Sequence, residues 1–219
     1  MIMHIDHDSY GSIALAYVIC AAIIIILRLL VRNPWVFWPL AVFIFAVAVW
    51  QTLFFRVPDR QCPGTDKVVT AVADGKVVIN ETVFEQEFLK RECIQVSVFM
   101  DFFDVHANFW PVDGSVTYYK YHPGKHFMAF LPKSSIYNEH SCTVIRTDDG
   151  KDIMFKQLAG TFARRIVCYS EPGMKTKAGK QCGIIKFGSR IDMFFPLDAD
   201  IKVKVGDNVR ACESVIALL

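Results

Sequence analysis

Between Ser12 and Phe55 only Arg28 and Arg32 carry charge. A stretch this apolar is unsuited to the surface of a water-soluble globule, and Arg32-Asn-Pro34 divides it into two runs, Ser12 to Val31 and Trp35 to Phe55. Each approaches the ~20 residues that a helix needs to cross the hydrocarbon core. Tyr10, Trp35, Trp38 and Trp50 lie near the run ends, where amphipathic rings favour the membrane interface. The expectation is a membrane anchor over residues 1–56, a hairpin of two helices at about 12–31 and 35–55 with both ends on one side. Arg28 and Arg32 at the turn nearly balance Arg56, Arg60 and Lys67 at the exit, so charge does not choose the topology. Full spanning and partial embedding both stay open, because Arg28 can snorkel and Pro34 and Pro39 can bend the second helix. Met1 to Gly11 lacks the basic start of a cleaved signal peptide.

Beyond residue 56 the composition changes. Three of the 24 basic and two of the 22 acidic residues lie before Val57, which leaves 21 and 20 for the remainder. So even a balance argues against a surface for nucleic acid, which needs a basic excess. The seven cysteines are odd in number and show no C-x-x-C spacing; they fit free thiols facing a reducing compartment. His122, His126, His140 and Cys142 have no recognisable metal-site spacing, and no metal is expected.

A linker over 57–66, rich in proline and charge, precedes a domain over 67–219 made of short β-branched and aromatic runs. Strands are expected over 67–72, 76–79, 94–100, 115–122, 125–131, 141–146, 153–158, 183–187, 191–195, 201–205 and 214–218, and a short helix over 159–165. Asp74-Gly75, Asp113-Gly114 and Asp149-Gly150 read as turns. The fold class is mainly β, a sandwich or barrel with little helix outside the anchor. Val203-Lys-Val-Gly-Asp-Asn-Val209 resembles the hairpin turn of lipoyl and biotinyl domains, although no carrier lysine motif accompanies it.

Within Cys182 to Pro196, two apolar runs flank Gly188-Ser189. A serine after glycine is the least hindered place for a hydroxyl to attack the preceding peptide carbonyl. Taken alone the pair also reads as a glycine kink between strands. Four further tracts accompany it: Val72-Ala-Asp-Gly-Lys-Val-Val78, Asp104-Val-His-Ala-Asn-Phe-Trp-Pro-Val-Asp-Gly114, Leu131-Pro-Lys-Ser-Ser-Ile-Tyr-Asn-Glu139 and Gln157-Leu-Ala-Gly-Thr-Phe-Ala-Arg-Arg-Ile-Val167. In this order, from about Val69 to the C-terminus, they resemble the phosphatidylserine decarboxylase proenzymes in their short, membrane-anchored bacterial form.

That resemblance implies a barrel-sandwich catalytic domain and a self-cleaving chain. Ser189 would attack the carbonyl of Gly188, with His106 as base and Asp74 steadying the imidazole. Cleavage between 188 and 189 would leave a β subunit (1–188) and an α subunit (189–219) headed by a covalent pyruvoyl group, the pyruvate cofactor, made from Ser189. The pyruvoyl ketone would condense with the amine of phosphatidylserine and act as electron sink for loss of CO2. Arg164, Arg165 and Lys133 would receive the lipid phosphate, unless they are ordinary surface charge. Ser134, Ser135, Asn138 and Glu139 line the site or form a polar turn.

Two departures stand out. Phe109 occupies the place of a second histidine found in longer relatives, and Asp101-Phe102 replaces the Ser-Pro that short relatives tend to show. The implied partners are the phospholipid, the membrane and the two subunits of one proenzyme, with the oligomeric state open. The implied location is the cytoplasmic face of a bacterial inner membrane. Two rivals stand beside this reading: a decarboxylase of another serine-headed lipid, and a non-enzymatic, membrane-tethered lipoyl-like adaptor.

Overall fold

The computed structural model describes residues 3–63, 65, 67–127, 138–160, 165–186 and 189–219. It is mainly β, with 43% strand against 23% helix. The chain divides into a unit over Ile2–Pro58 and a second over Asp59–Leu219.

The first unit is a helical hairpin. Helix α1 (Tyr10–Leu30) and helix α2 (Pro34–Phe54) are each 21 residues long. Asn33 caps α2 by accepting a hydrogen bond from Trp35 N–H at 2.9 Å, and Pro34 follows it at the first helical position, where a missing N–H costs nothing. Strand β1 (Met3–Ile5) pairs antiparallel with β2 (Arg56–Pro58), so a short ribbon joins the two ends of the hairpin. Leu29 and Trp35 are 76% and 87% exposed. Both helices are long and apolar enough to cross a membrane.

The second unit contains strands β3 (Val68–Thr70), β4 (Gly75–Glu85), β5 (Arg91–Met100), β6 (Ala107–Phe109), β7 (Gly114–His122), β8 (His140–Arg146) and β9 (Asp152–Ala159). It continues with β10 (Arg165–Cys168), β11 (Lys175–Thr176), β12 (Gln181–Lys186), β13 (Ser189–Phe195), β14 (Asp200–Ile201), β15 (Asn208–Val209) and β16 (Val215–Leu218). A curled eight-stranded sheet has the order β11-β7-β8-β9-β13-β5-β4-β15. Two three-stranded sheets, β10-β12-β6 and β14-β16-β3, complete the unit.

Side chains alternate across a strand, and β13 is buried on both faces. Ile191, Met193 and Phe195 join Val96, Val98, Met100, Phe155 and Trp110 in the main core. Phe194, on the other face, packs with Cys93, Cys142, Val144 and Met154 in a second cluster.

Several sequence expectations change in detail. The run expected over 201–205 is a strand only at Asp200–Ile201, because Gly206, at φ 102°, turns the chain and donates its N–H to Val77 O instead. Lys125 makes an isolated parallel bridge to Asn138, and the rest of the strand expected there, from residue 128 on, lies outside the described residues. The helix expected over 159–165 likewise falls largely on 161–164, outside the described residues; Ala159 ends β9 and Arg165 opens β10.

Gly75 is where a side chain is least tolerable. Its φ is +148°, and a Cβ there would lie 2.1 Å from the Phe99 carbonyl oxygen. Gly75→Ala is therefore expected to destabilise the second unit by about 2 kcal/mol or more through strain and collision. Thermal unfolding of detergent-purified protein should show a midpoint lower by several degrees.

Candidate active site

Ser189 opens β13 and is fully buried. In register it stands between Met100 of β5 and Ala159 of β9, and its Oγ donates to Met100 Sδ at 3.0 Å, a weak acceptor. The next residue faces the other way. Arg190, also fully buried, is paired through two nitrogens with the Asp192 carboxylate at 2.7 and 3.1 Å. Such a pair must be complete, because a lone charge at this depth is not tolerated.

His106 lies in the segment between β5 and β6 and is fully buried. Its Nδ1 is 3.1 Å from the Asp104 carbonyl oxygen. Its own carbonyl accepts from Ile185 N–H at 3.3 Å, which sets His106 beside β12, four residues before Ser189. Asp74 comes from the turn before β4. Lys76, Phe99 and Arg190 form one row across β4, β5 and β13, so Asp74-Gly75 leads into β4 two strands from Ser189, roughly 10 Å at ~4.8 Å per strand. Phe109 N–H donates to Val72 O at 2.9 Å, linking β6 to the segment that carries Asp74.

The three sequence-selected residues thus sit on adjoining segments. The bonds of Asp74, however, go to Arg60 and to Ala211 rather than to His106. Arg60 grips both carboxylate oxygens, one of them at 2.8 Å, and Ala211 N–H donates at 2.8 Å. Burial works against the Arg60 charge, yet the bond and attraction of Asp74 outweigh it and raise its pKa. A cleft of about 460 Å³ opens here, lined by Asp74, Lys76, Phe99, Asp101, Asp104 and Arg210 among others.

On the Ser189 side of the sheet, Ser141 donates to Gln157 at 2.7 Å and Gln157 donates to Asn108 at 2.8 Å. Gly183 allows this: a Cβ there would be 2.3 Å from Val167 O and 2.9 Å from Gln157 Nε2. Sequence reasoning selected none of Arg60, Asn108, Gln157 or Asp192. For Asp192 a signal existed, a carboxylate two residues after Arg190 within an otherwise apolar run, Ile191 to Phe195; for Arg60 none did. Of the expected phosphate ligands, Arg165 is exposed and stands opposite Lys186 in register. Arg164, Lys133 and Gly188 lie outside the described residues, as do Ser134 and Ser135, while Asn138 is buried and bonds Phe127 and Ala159.

The thiols offer no competing nucleophile in the core. All seven cysteines are free, and burial pushes Cys93 up to about 11 and Cys212 up to about 12, with Cys142 and Cys182 also raised. The serine is the chemically distinctive group.

The family model described as phosphatidylserine decarboxylase matches residues 47–217. The chain belongs to the phosphatidylserine decarboxylase family. Similar proteins of this family, each a phosphatidylserine decarboxylase proenzyme, come from several bacteria. That of Amoebophilus asiaticus is 44% identical over 171 residues, covering 78% of this chain and 76% of its own. That of Cytophaga hutchinsonii is 45% identical over 164 residues, 75% of this chain and 74% of its own. That of Porphyromonas gingivalis is 43% identical over 182 residues, 82% and 81%. Membership in the phosphatidylserine decarboxylase family favours an enzyme over the tethered adaptor.

The grip of Arg60 on Asp74 gives a direct test. The Arg60 side chain is 2% exposed, so Arg60→Ala strands a largely buried carboxylate and is expected to cost about 3 kcal/mol. Urea unfolding measures it; an unchanged midpoint would mean that the pair contributes nothing.

Proposed function

We propose that the chain is a membrane-anchored decarboxylase that converts phosphatidylserine to phosphatidylethanolamine and CO2, after cutting its own backbone ahead of Ser189. The observation that carries this reading is a Gly-Ser hydroxyl buried at the head of β13, on the segment adjoining His106, in a chain of the phosphatidylserine decarboxylase family.

In the maturation, Ser189 Oγ attacks the Gly188 carbonyl carbon while His106 takes the hydroxyl proton. The peptide C–N bond breaks and an ester forms, with the amine left on residue 189. Removal of the Cα proton and departure of the Gly188 carboxylate from Cβ then open the chain, and addition of water with loss of ammonia leaves a keto acyl end. Asp74 would steady the imidazolium of His106, as the third member of such a relay, with one carboxylate oxygen released from Arg60.

A pyruvoyl group fits the position of Ser189: its surroundings there are Met100 and Ala159, and the hydroxyl it replaces is bonded to a thioether rather than to a strong acceptor. Once formed, its ketone would take up the substrate amine and withdraw the electrons released as CO2 departs. His106 is then free to move a proton at the former α-carbon. Burial of this end of β13 limits the access of water while that proton is placed. Arg165, with Lys186 opposite it and three residues ahead of Ser189, and with Arg164 and Lys133, would hold the lipid phosphate through their fixed donors.

The two apolar helices support a membrane anchor. Free cysteines throughout support a domain on the cytoplasmic side of the inner membrane.

Ser189→Ala is expected to leave a full-length, folded and inactive chain. His106→Ala should retain at least most of the protein uncut, a loss of ~100-fold or more in cleavage rate. Intact-mass analysis of wild-type protein should find a small fragment over 189–219 that begins with a blocked keto acid. Normal cleavage in the Ser189→Ala protein would overturn the reading.

A further inference from the structure

On the sheet face opposite Ser189 lies a polar cluster that the decarboxylation chemistry does not use. Glu87 stands in the turn between β4 and β5, His122 ends β7 and His140 begins β8. Their donor atoms all lie within 4.8 Å of one another, and they are the group of metal-ligating side chains so placed among the described residues. Glu87 Oε1 and His122 Nε2 are 2.6 Å apart. His122 and His140 are cross-strand partners, which explains why their rings stack at 4.5 Å with a 16° tilt.

The arrangement is oriented as ligands are. His140 Nδ1 is 2.7 Å from the Asn138 carbonyl oxygen, an acceptor that requires the proton on Nδ1 and leaves the lone pair on Nε2. Tyr118 donates its hydroxyl to Glu87 Oε1 at 3.2 Å, the outer bond that steadies a ligating carboxylate. Charge also permits a cation. Lys156 lies 3.3 Å from Glu85 and 3.0 Å from Glu87, so with neutral imidazoles the two carboxylates and one ammonium leave the cluster one negative charge. A cavity of about 400 Å³, lined in part by Glu85, Glu87, His122, His140 and Lys156, gives access.

We propose that Glu87, His122 and His140 form a site for a divalent cation of the zinc class, with solvent as the fourth ligand. Two imidazoles and one carboxylate are a donor set of zinc and its first-row neighbours. The entering ion takes the place of the proton between His122 and Glu87, which moves to Nδ1 of the same neutral ring and leaves Nε2 as the ligand. An ion pair between Glu87, His122 and Lys156 alone accounts for the acidic side of the cluster, but among the described residues it gives His140 Nε2 no hydrogen-bond partner. Bound metal ties the β4–β5 turn to the β7–β8 ladder. Because His140 faces away from Ser189, this site stands whether or not the decarboxylase reading does.

The test uses the full, tag-free chain, stripped with chelator in detergent and titrated with Zn2+ and with Co2+. One equivalent should bind, raise the thermal midpoint, and give with Co2+ the intense visible absorption of a four-coordinate ion. His122→Gln, His140→Gln and Glu87→Gln should each weaken binding beyond the roughly 10–100-fold lost with an outer-shell partner. A variant lacking His4, His7 and His126 should bind as the wild type does, and Ser189→Ala likewise. Absence of binding to the folded wild type overturns the proposal, as does binding that survives both histidine substitutions or is lost with the three remote histidines. Extent of self-cleavage, read on the same samples, reports separately on the decarboxylase reading.

Discussion

The Arg190–Asp192 pair holds the centre of this molecule in place. Both side chains are fully buried two residues apart on one face of β13, and charges at that depth are tolerated only when paired and oriented. A one-residue slip of β13 would carry both into the apolar core and bring Ile191 and Met193 to the polar face. The pair thereby locks the register that sets Ser189 between Met100 and Ala159. A strand with hydrophobic side chains alone would bury more apolar surface and specify this register less sharply.

One strand therefore separates two chemistries. The face of Ser189 carries a neutral chain from Ser141 through Gln157 to Asn108, and the opposite face carries Arg190, Asp192, Lys156 and the Glu87–His122–His140 group. In the proposed maturation, neutral donors would suit the loss of the Ser189 proton and the attack on a carbonyl, since a fixed carboxylate in contact with Ser189 would oppose the developing oxyanion. The charged groups are kept behind the backbone of the sheet, where they stabilise without interfering.

Much of this was legible in the sequence. Strands such as β5, β7, β8 and β9 announce themselves through β-branched and aromatic runs, and the anchor helices through the absence of charge. Five ordered tracts identify the family, and Ser189, His106 and Asp74 fall within them. What could not be read are contacts made at long range. Arg60 lies in a tract that reads as a linker, and its partner is 14 residues away; Glu87 lies in a hairpin turn and meets His122 35 residues later. Spacing along the chain offers no such cluster because it sees His122 and His140 as isolated; register across the β7–β8 ladder is what stacks them. Short strands such as β6, β11 and β15 escape for a similar reason, since two or three residues carry no periodicity and are ordered only by their neighbours.

The chain passes from β12 in a three-stranded sheet to β13 in the eight-stranded one across the Gly188-Ser189 junction. A backbone opened at that junction would leave a 31-residue remnant, 189–219, whose first strand is clasped by β5 and β9 and whose last strand lies between β14 and β3. Nothing resembling a docking surface divides the two pieces; their seam is the hydrophobic interior itself. Such a molecule can be assembled only once. Folded as a single polymer and cut there only afterwards, it would on full denaturation lack the covalent tether that made its topology attainable, so its endurance would be governed by how slowly it opens.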